Sequence, residues 1–180
     1  MYKLAAVFAV LAGPALAAGL EIDIAGEANG TVVIDLFEDV APKHVAQITT
    51  IAGNGEYDGV VFHRVIEGFM AQTGDVAFGR ADNLGRAGTG GSSLPDIPAE
   101  FSDINFARGV VGMERSQNPN SANSQFFIMF DEGAFLNGQY TVVGEVTSGM
   151  EIVDAIKRGQ GQSGAVSGTP DVMQAVRVTD

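Results

Sequence analysis

The sequence VVFHRVIEGFMAQTGD, residues 60–75, predicts two antiparallel strands joined by a tight turn at Glu67-Gly68. Side chains of a strand alternate between its two faces, so the first strand should present every second residue on one side. One side carries Phe62, Arg64 and Ile66, and the other carries Val61, His63 and Val65. A basic side chain therefore stands within an otherwise apolar surface.

The second predicted strand brings a carboxamide close to this guanidinium. Met70 and Gln72 share one face, and Phe69 would reach the same place from the end of the strand. Arginine only donates hydrogen bonds, whereas glutamine donates and accepts, so the pair can bind a peptide backbone above an apolar floor. The alternative is a rim arginine that covers the edge of a core beside a solvent-exposed glutamine. The spacing leaves both interpretations open.

The spacing of apolar residues along the whole chain indicates a mainly β protein. Alternation in residues 20–24 and in GTVVIDLF, residues 30–37, predicts a first hairpin. Further strands are predicted at residues 60–66, 69–73, 109–113, 125–130, 141–146 and 172–178. About eight short strands without a regular helix after each favour a closed eight-stranded antiparallel barrel.

Two helices interrupt the predicted strands. The first begins at Pro42 and ends at Gly53, with one apolar stripe between them. The second, in residues 148–159, should begin with a capping box formed by Ser148 and Glu151. Because each helix has a single apolar stripe, each should lie on the sheet, and we expect the two to cap the barrel.

The amino-acid composition excludes several classes of function and of chemistry. The chain has 10 basic and 22 acidic residues and a formal net charge of −12, which disfavours binding to nucleic acids and to anionic lipid surfaces. It contains no cysteine, so disulfides and thiol catalysis are excluded. With only two histidines and no thiol to bind zinc, we predict no metal site.

The N-terminus resembles an export signal. Residues 1–17 combine Lys3, an apolar run and a helix-breaking Pro14 before the small-residue sequence ALA that ends at Ala17. The alternative is a membrane anchor or a buried helix, although the run is short for a membrane span and is broken by Pro14. We therefore predict a signal peptide in residues 1–17 and one mature domain, residues 18–180. The expected location is periplasmic or secreted.

The sequence supports none of three common catalytic or nucleotide-binding motifs. GQGQSG, residues 159–164, has the spacing of a dinucleotide-binding loop but follows a predicted helix instead of a strand. GRAGTGGS, which begins at Gly85, resembles a phosphate-binding loop but has Gly91 in place of the required lysine. The nucleophile motif G-x-S-x-G is absent from the sequence. A hydrolytic triad around His63 remains as an alternative.

The stretch FHRVIEGFMAQTGD resembles the signature of the cyclophilin-type peptidyl-prolyl isomerases. Further segments match that family in order: AGTGG, IPAEF, GVVGMERSQNPNSANSQFFI, FLNGQYTVVGEV and GMEIVDAI. The resemblance covers nearly all of residues 22–178. It implies an eight-stranded antiparallel barrel capped by two helices, and an activity that accelerates rotation about Xaa-Pro bonds without a cofactor.

The resemblance also implies roles for individual residues. Arg64 corresponds to the catalytic arginine of the family. The implied proline pocket is lined by Phe69, Met70, Phe127 and Leu136. Gln72 and Gln125 would bind the substrate backbone, and Gly88 and Thr89 would border a neighbouring subsite. Phe126 and Phe127 should face opposite ways on one strand, so that one is core and the other is available to the pocket.

Three positions depart from the best-known members of the family. Phe135 stands where many members have tryptophan, which implies weaker binding of cyclosporin-like inhibitors. Tyr140 stands where many have histidine and can still donate a hydrogen bond at the pocket rim. Glu114-Arg115 replaces a familiar Ala-Asn pair, and Glu114 would place a carboxylate near the substrate.

The expected substrates are proline-containing peptides and unfolded exported proteins, and we expect a monomer that contacts no membrane after signal cleavage. The rival hypothesis is a binding module that holds proline-containing segments with little catalysis. Arg64 and Gln72 favour the enzyme, whereas Glu114 and Tyr140 leave the binding module open.

Overall fold

The structure, a computed structural model, describes residues 18–180, so the predicted signal segment 1–17 lies outside the described residues. The strands are β1 (Gly19–Ala25), β2 (Gly30–Leu36), β3 (Val60–Val61), β4 (Arg64–Ile66), β5 (Met70–Thr73), β6 (Val110–Met113), β7 (Phe126–Met129), β8 (Val142–Ser148) and β9 (Val172–Thr179). The helices are α1 (Pro42–Gly53) and α2 (Met150–Ala155), with a short 3-10 helix at Ala134–Leu136. In residues 18–180 no helix combines the length and the apolarity needed to cross a bilayer.

All nine strands belong to one antiparallel sheet. Their order across the sheet is β3-β9-β1-β2-β8-β6-β7-β5-β4. The mainly β class and the two α-helices were predicted, but the closed eight-stranded barrel was wrong. The sheet is an open half-barrel of nine strands, whose two edges are β3 and β4.

The barrel does not close because the predicted strand 60–66 is two strands. Val61 donates its backbone N–H to Gly79 (2.9 Å), and Phe62 donates to Asp171 (2.9 Å), so neither continues a ladder into β4. Between the edges, the hydroxyl of Thr73 on β5 donates to the carbonyl of Val61 at 3.0 Å. The Val61 carbonyl thus accepts from the Thr73 side chain, where a closed barrel would have a backbone hydrogen bond.

The break also changes which face Phe62 occupies. Alternation placed Phe62 beside Arg64, but Phe62 is fully buried in the main core together with Val65. Alternation requires a continuous strand, and the chain leaves the extended ladder at Phe62-His63. The predicted face of Arg64 and Ile66 is retained, because these two residues belong to the same short strand.

The sheet separates two apolar clusters, and this separation positions the candidate site. Along β7, Phe126 and Ile128 lie in the main core, whereas Phe127 and Met129 lie in a second cluster on the other face. The predicted opposition of Phe126 and Phe127 is confirmed. Met70 on β5 joins the second cluster, so neighbouring strands contribute apolar side chains to the same outer face.

Helix α1 begins at Pro42 as predicted, and a distant carboxylate caps its N-terminus. Glu100 accepts hydrogen bonds from the backbone N–H groups of Lys43 and His44, both at 3.1 Å, and from the His44 ring at 2.6 Å. Burial alone would raise the pKa of Glu100, but these hydrogen bonds hold it below its ordinary value. Burial lowers the pKa of His44 against the opposing effect of Glu100, which favours a neutral ring.

Helix α2 is shorter than predicted, and its predicted capping box is wrong. Ser148 is the last residue of β8, so Gly149 caps the helix instead, in the left-handed conformation (φ 89°). A Cβ at Gly149 would lie 2.5 Å from the carbonyl oxygen of Thr31, so only glycine fits this turn. The helix ends at Ala155 and packs against β2, whereas α1 packs against β9.

We predict that Glu100→Gln destabilises the fold by about 1–3 kcal/mol, because a charged acceptor of several hydrogen bonds is lost. The pKa of the Glu100 carboxyl is lower in the folded state, so its contribution is complete above the ordinary value of 4.5 and is lost as pH falls through the folded-state pKa. Urea unfolding at neutral pH and in acid measures both effects. Glu38→Gln, at an exposed site, is the matched control; equal stability of the two variants would contradict the prediction.

Candidate active site

Two adjoining cavities lie beside strands β4 to β7. The apolar cavity, about 390 Å³, is lined by Arg64, Phe69, Met70, Gln72, Glu114, Phe127, Phe135, Leu136 and Tyr140. The glycine-loop cavity, about 430 Å³, is lined by Gln72, residues 88–91, Asp96, residues 114–116, Ser121 and residues 123–125. Nine of the twelve residues predicted for the site therefore line one cavity. The other three, Gly88, Thr89 and Gln125, line the second.

Arg64 and Gln72 face each other across the β4–β5 hairpin, as predicted. Their Cα atoms are paired in the ladder, and Arg64 Nη1 donates to Gln72 Oε1 at 3.0 Å. Arg64 Nε donates to the carbonyl of Ser163 at 3.0 Å, which holds the guanidinium from a second side. Within residues 18–180 no hydrogen bond uses Arg64 Nη2, so its two N–H groups remain available at the cavity wall.

A directional chain of hydrogen bonds continues from this arginine. Gln72 Nε2 donates to Gln125 Oε1 at 3.0 Å, and Gln125 Nε2 donates to the carbonyl of Gly90 at 2.8 Å. Because a guanidinium cannot accept, Gln72 must turn its oxygen toward Arg64, and this orients both carboxamides. The alternative of a solvent-exposed glutamine is wrong, since Gln72 is buried. This series of hydrogen bonds links the two cavities.

The floor of the apolar cavity is a group of aromatic rings. Phe127 meets the Tyr140 ring edge to face, with centroids 5.8 Å apart, and Phe106 stacks behind it at 5.8 Å. At the rim, Phe135 is 65% exposed and lies against Phe69, with centroids 5.4 Å apart. Such a surface offers an apolar side chain a large contact area with little loss of rotamer freedom.

The glycine loop is held by Asp75, a residue that the sequence analysis did not single out. Its fully buried carboxylate accepts backbone N–H bonds from Phe78 (2.9 Å), Gly88 (2.8 Å) and Gly90 (3.0 Å). An aspartate close after a strand and before a turn is a recognisable signal for such capping, so this role was open to sequence reasoning. Thr89 completes the loop by donating its hydroxyl to the Arg86 carbonyl at 2.7 Å.

Burial shifts the pKa values of Glu114 and His63, two titratable groups near the cavities, in opposite directions. Burial raises the pKa of Glu114, against the backbone N–H of Arg115 and the charges of Arg64 and Arg115. Burial lowers the pKa of His63, which lies beneath Gly88, against the opposing charge of Asp75. Among the hydrogen bonds that described serine and threonine hydroxyls form, none reaches His63, so the hydrolytic triad has no nucleophile in place.

Gly112 on β6 and Phe106 were also missed, and they support Phe127. A Cβ at Gly112 would lie 2.5 Å from Phe106 and 2.6 Å from Phe127, so glycine allows both rings to stack against the strand. A glycine inside an apolar strand often marks such a close approach, and GVVGM carries that signal. Phe106 lies in an irregular segment, where no periodic pattern indicates its position.

The comparisons with known proteins agree with one another. The family model described as "Cyclophilin type peptidyl-prolyl cis-trans isomerase/CLD" matches residues 20–179. The chain is 60% identical, over 156 residues, to a probable peptidyl-prolyl cis-trans isomerase of Brucella suis, covering 84% of this chain and 80% of that protein. A crystal structure of a Cryptosporidium parvum cyclophilin type isomerase superimposes with a TM-score of 0.77 at 23% identity, covering 92% of this chain and 99% of that one. That protein in the presence of the dipeptide ala-pro gives 0.76 at 24% identity, covering 90% and 99%.

We predict that Gly112→Ala displaces Phe127 and destabilises the protein by about 1–3 kcal/mol, because the added methyl group overpacks the rings. NMR shifts of the Phe127 and Tyr140 rings, together with urea unfolding, measure the two effects. Gly53→Ala is the matched control, since no atom lies within 4 Å of the Cβ it would add. Unchanged ring shifts in Gly112→Ala would contradict the prediction.

Proposed function

The chain belongs to the cyclophilin-type peptidyl-prolyl cis-trans isomerases, and we propose that Arg64 catalyses rotation of Xaa-Pro bonds whose proline ring occupies the apolar cavity. The observation that carries the proposal is the geometry of the guanidinium. It is anchored by Gln72 and Ser163, and the two N–H groups of Nη2 have no partner among the described residues. A fixed charged donor thus stands beside an apolar surface.

The chemistry needs a donor and a shaped surface but no nucleophile. Amide resonance gives the Xaa-Pro bond a rotational barrier of about 18–20 kcal/mol. In the twisted transition state the proline nitrogen regains its lone pair and becomes a better acceptor than in either planar form. A hydrogen bond from Arg64 is then stronger in the transition state than in the ground states, which is the condition for catalysis. A charge-assisted bond of this kind contributes about 1.5–3 kcal/mol.

The apolar cavity supplies the remaining stabilisation. Phe127, Leu136 and Met70 are buried and would hold the proline ring, while Phe69 and Phe135 would cover it from the rim. Excluding water from this surface strengthens the bond from the guanidinium, because the local dielectric falls. The directional chain through Gln72 keeps the arginine from turning when substrate enters.

The glycine-loop cavity is proposed to take the peptide on one side of the proline. Gln125 and the backbone at residues 88–91 border it, and these polar groups suit an extended peptide backbone. Both glutamines are engaged with each other and with Arg64 and Gly90. The role of Gln72 is therefore first to orient Arg64, and Tyr140 remains as a rim donor because no described hydrogen bond uses its hydroxyl.

The proposed setting is the folding of exported proteins in the periplasm or outside the cell, with the mature protein acting as a monomer. The support is the pattern of residues 1–17, in which a basic start, an apolar run and a small-residue cleavage sequence follow in order. Xaa-Pro rotation is slow enough to limit folding, so an isomerase in that compartment has substrates among chains arriving unfolded.

We predict that Arg64→Ala lowers the rate of cis–trans exchange of an Xaa-Pro peptide by about 10- to 150-fold, the equivalent of one charge-assisted bond. Peptide affinity should change much less, because the bond is formed chiefly in the transition state. NMR exchange spectroscopy on the mature protein measures the rate directly. Arg177→Ala removes a surface guanidinium on β9 and is the control. If Arg64→Ala kept the exchange rate of the wild type, the role of Arg64 would be overturned. If the wild type bound the peptide without accelerating exchange, the binding module would be favoured.

Export of the protein and cleavage of residues 1–17 can be tested independently of the isomerase activity. We expect the full chain, expressed in a bacterium with a periplasm, to be recovered from that compartment with a mass that lacks residues 1–17. Ala17→Tyr should block cleavage, because signal peptidases need a small residue before the cleavage point. An uncleaved wild-type protein in the cytoplasm would contradict the export proposal and leave the isomerase proposal intact.

A further inference from the structure

A single carboxylate stands where the two cavities meet. Glu114 directly follows β6, and its backbone N–H donates to the carbonyl of Gln125 at 2.9 Å, which fixes its position. Among the described residues, only Glu114 and Gln72 line both cavities. Gln72 is engaged at both ends of its carboxamide, so Glu114 is the group at this junction that is open to a ligand.

The hydrogen bonds that the two neighbouring guanidinium groups form go to acceptors other than Glu114. Arg64 donates to Gln72 and to Ser163. Arg115 donates to the carbonyls of Gln139 (2.9 Å) and Ser116 (2.9 Å), and its Cζ lies 4.4 Å from the centre of the Tyr140 ring. The ion pairs formed within residues 18–180 do not include Glu114. Its carboxylate is therefore half-buried without a direct ion pair, and it feels the charges of Arg64 and Arg115 only from a distance.

This arrangement favours a cation brought by the substrate. A partly desolvated carboxylate loses hydration without gaining an ion pair, so a ligand cation recovers part of that cost. A metal ion fits poorly, because no group of three potential metal ligands surrounds Glu114 in the described chain. Lysine and arginine side chains can reach the junction while the proline ring stays in the apolar cavity, since an extended peptide advances only about 3.3–3.6 Å per residue.

We propose that Glu114 determines substrate specificity by selecting peptides that carry lysine or arginine within two residues of the proline. This inference rests on the proposed function, because the apolar cavity must hold the proline for the neighbouring side chain to reach Glu114. The attraction is local, and it differs from the general attraction that a net charge of −12 exerts on any cationic peptide. General attraction would be similar at every peptide position and would not depend on one carboxylate.

The test compares matched peptides that differ by one charge. Each pair carries either lysine or acetyl-lysine at one position, from two residues before the proline to two after it, in an otherwise neutral sequence. NMR exchange gives kcat/KM for each peptide with the mature wild type, with Glu114→Gln and with Glu38→Gln. The last variant removes one exposed negative charge that lines neither cavity, so it controls for net charge.

We expect the wild type to favour lysine over acetyl-lysine by about three- to tenfold at one or two positions, as a half-buried ion pair would. Glu114→Gln should bring that ratio close to one, whereas Glu38→Gln should keep it. Since the ratio compares two peptides on one protein, a general loss of activity in a variant cancels. Glu114→Ala, a second variant without the carboxylate, should give the same result as Glu114→Gln.

Three outcomes would overturn the inference: equal rates for both peptides at every position in the wild type, a preference that persists in Glu114→Gln, or an equal loss in Glu38→Gln. None of these outcomes contradicts the proposed isomerase activity, which these measurements would contradict if the wild type accelerated no peptide, charged or neutral. The two failures are therefore distinguishable in one set of measurements.

Discussion

The hydrogen bond from Arg64 to Gln72 sets the direction of the side-chain hydrogen bonds that link the two cavities. A guanidinium can only donate, so the carboxamide of Gln72 has one permitted orientation, and its NH₂ group must point to Gln125. Gln125 is oriented in turn and donates to Gly90 in the glycine loop. Each hydrogen bond in this series fixes the orientation of the next, so the position of the glycine loop and the direction of the Arg64 side chain are coupled. A preorganised donor of this kind does not have to reorganise when charge develops in a substrate.

The sheet provides the separation on which that geometry rests. Adjacent side chains of β7 point to opposite faces, so Phe126 supports the main core while Phe127 forms the floor of the apolar cavity. The floor is therefore as rigid as the strand that carries it. Behind the floor, Phe106 and Phe127 stack on each other and pack closely against Gly112. Catalysis of a rotation needs such a surface, because the shape of the cavity must favour a twisted amide over both planar forms.

Charge is distributed unevenly between the supporting residues and the site. Asp75 and Glu100 are satisfied carboxylates that accept several backbone N–H bonds and hold, respectively, the glycine loop and the start of α1. Glu114 differs because its neighbouring cations are engaged with carbonyl groups. A carboxylate of the first kind stabilises the fold, whereas one of the second kind is available to a ligand. This contrast within a single acidic chain is the physical basis for assigning Glu114 to recognition.

By itself, the sequence determined the mainly β class, the position of nearly every strand, the start of α1 at Pro42 and the placement of Arg64 and Gln72 on adjacent strands of one hairpin. These features depend on local periodicity and on neighbours close in the chain, which a pattern of residues records. Only the tertiary structure decided that the sheet stays open, because the break at Phe62 depends on acceptors at Gly79 and Asp171. It likewise decided that Glu100 caps a helix from more than fifty residues away and that the Gln72 carboxamide is buried. Contacts between residues so distant in sequence depend on the path of the whole chain, and no local pattern specifies them.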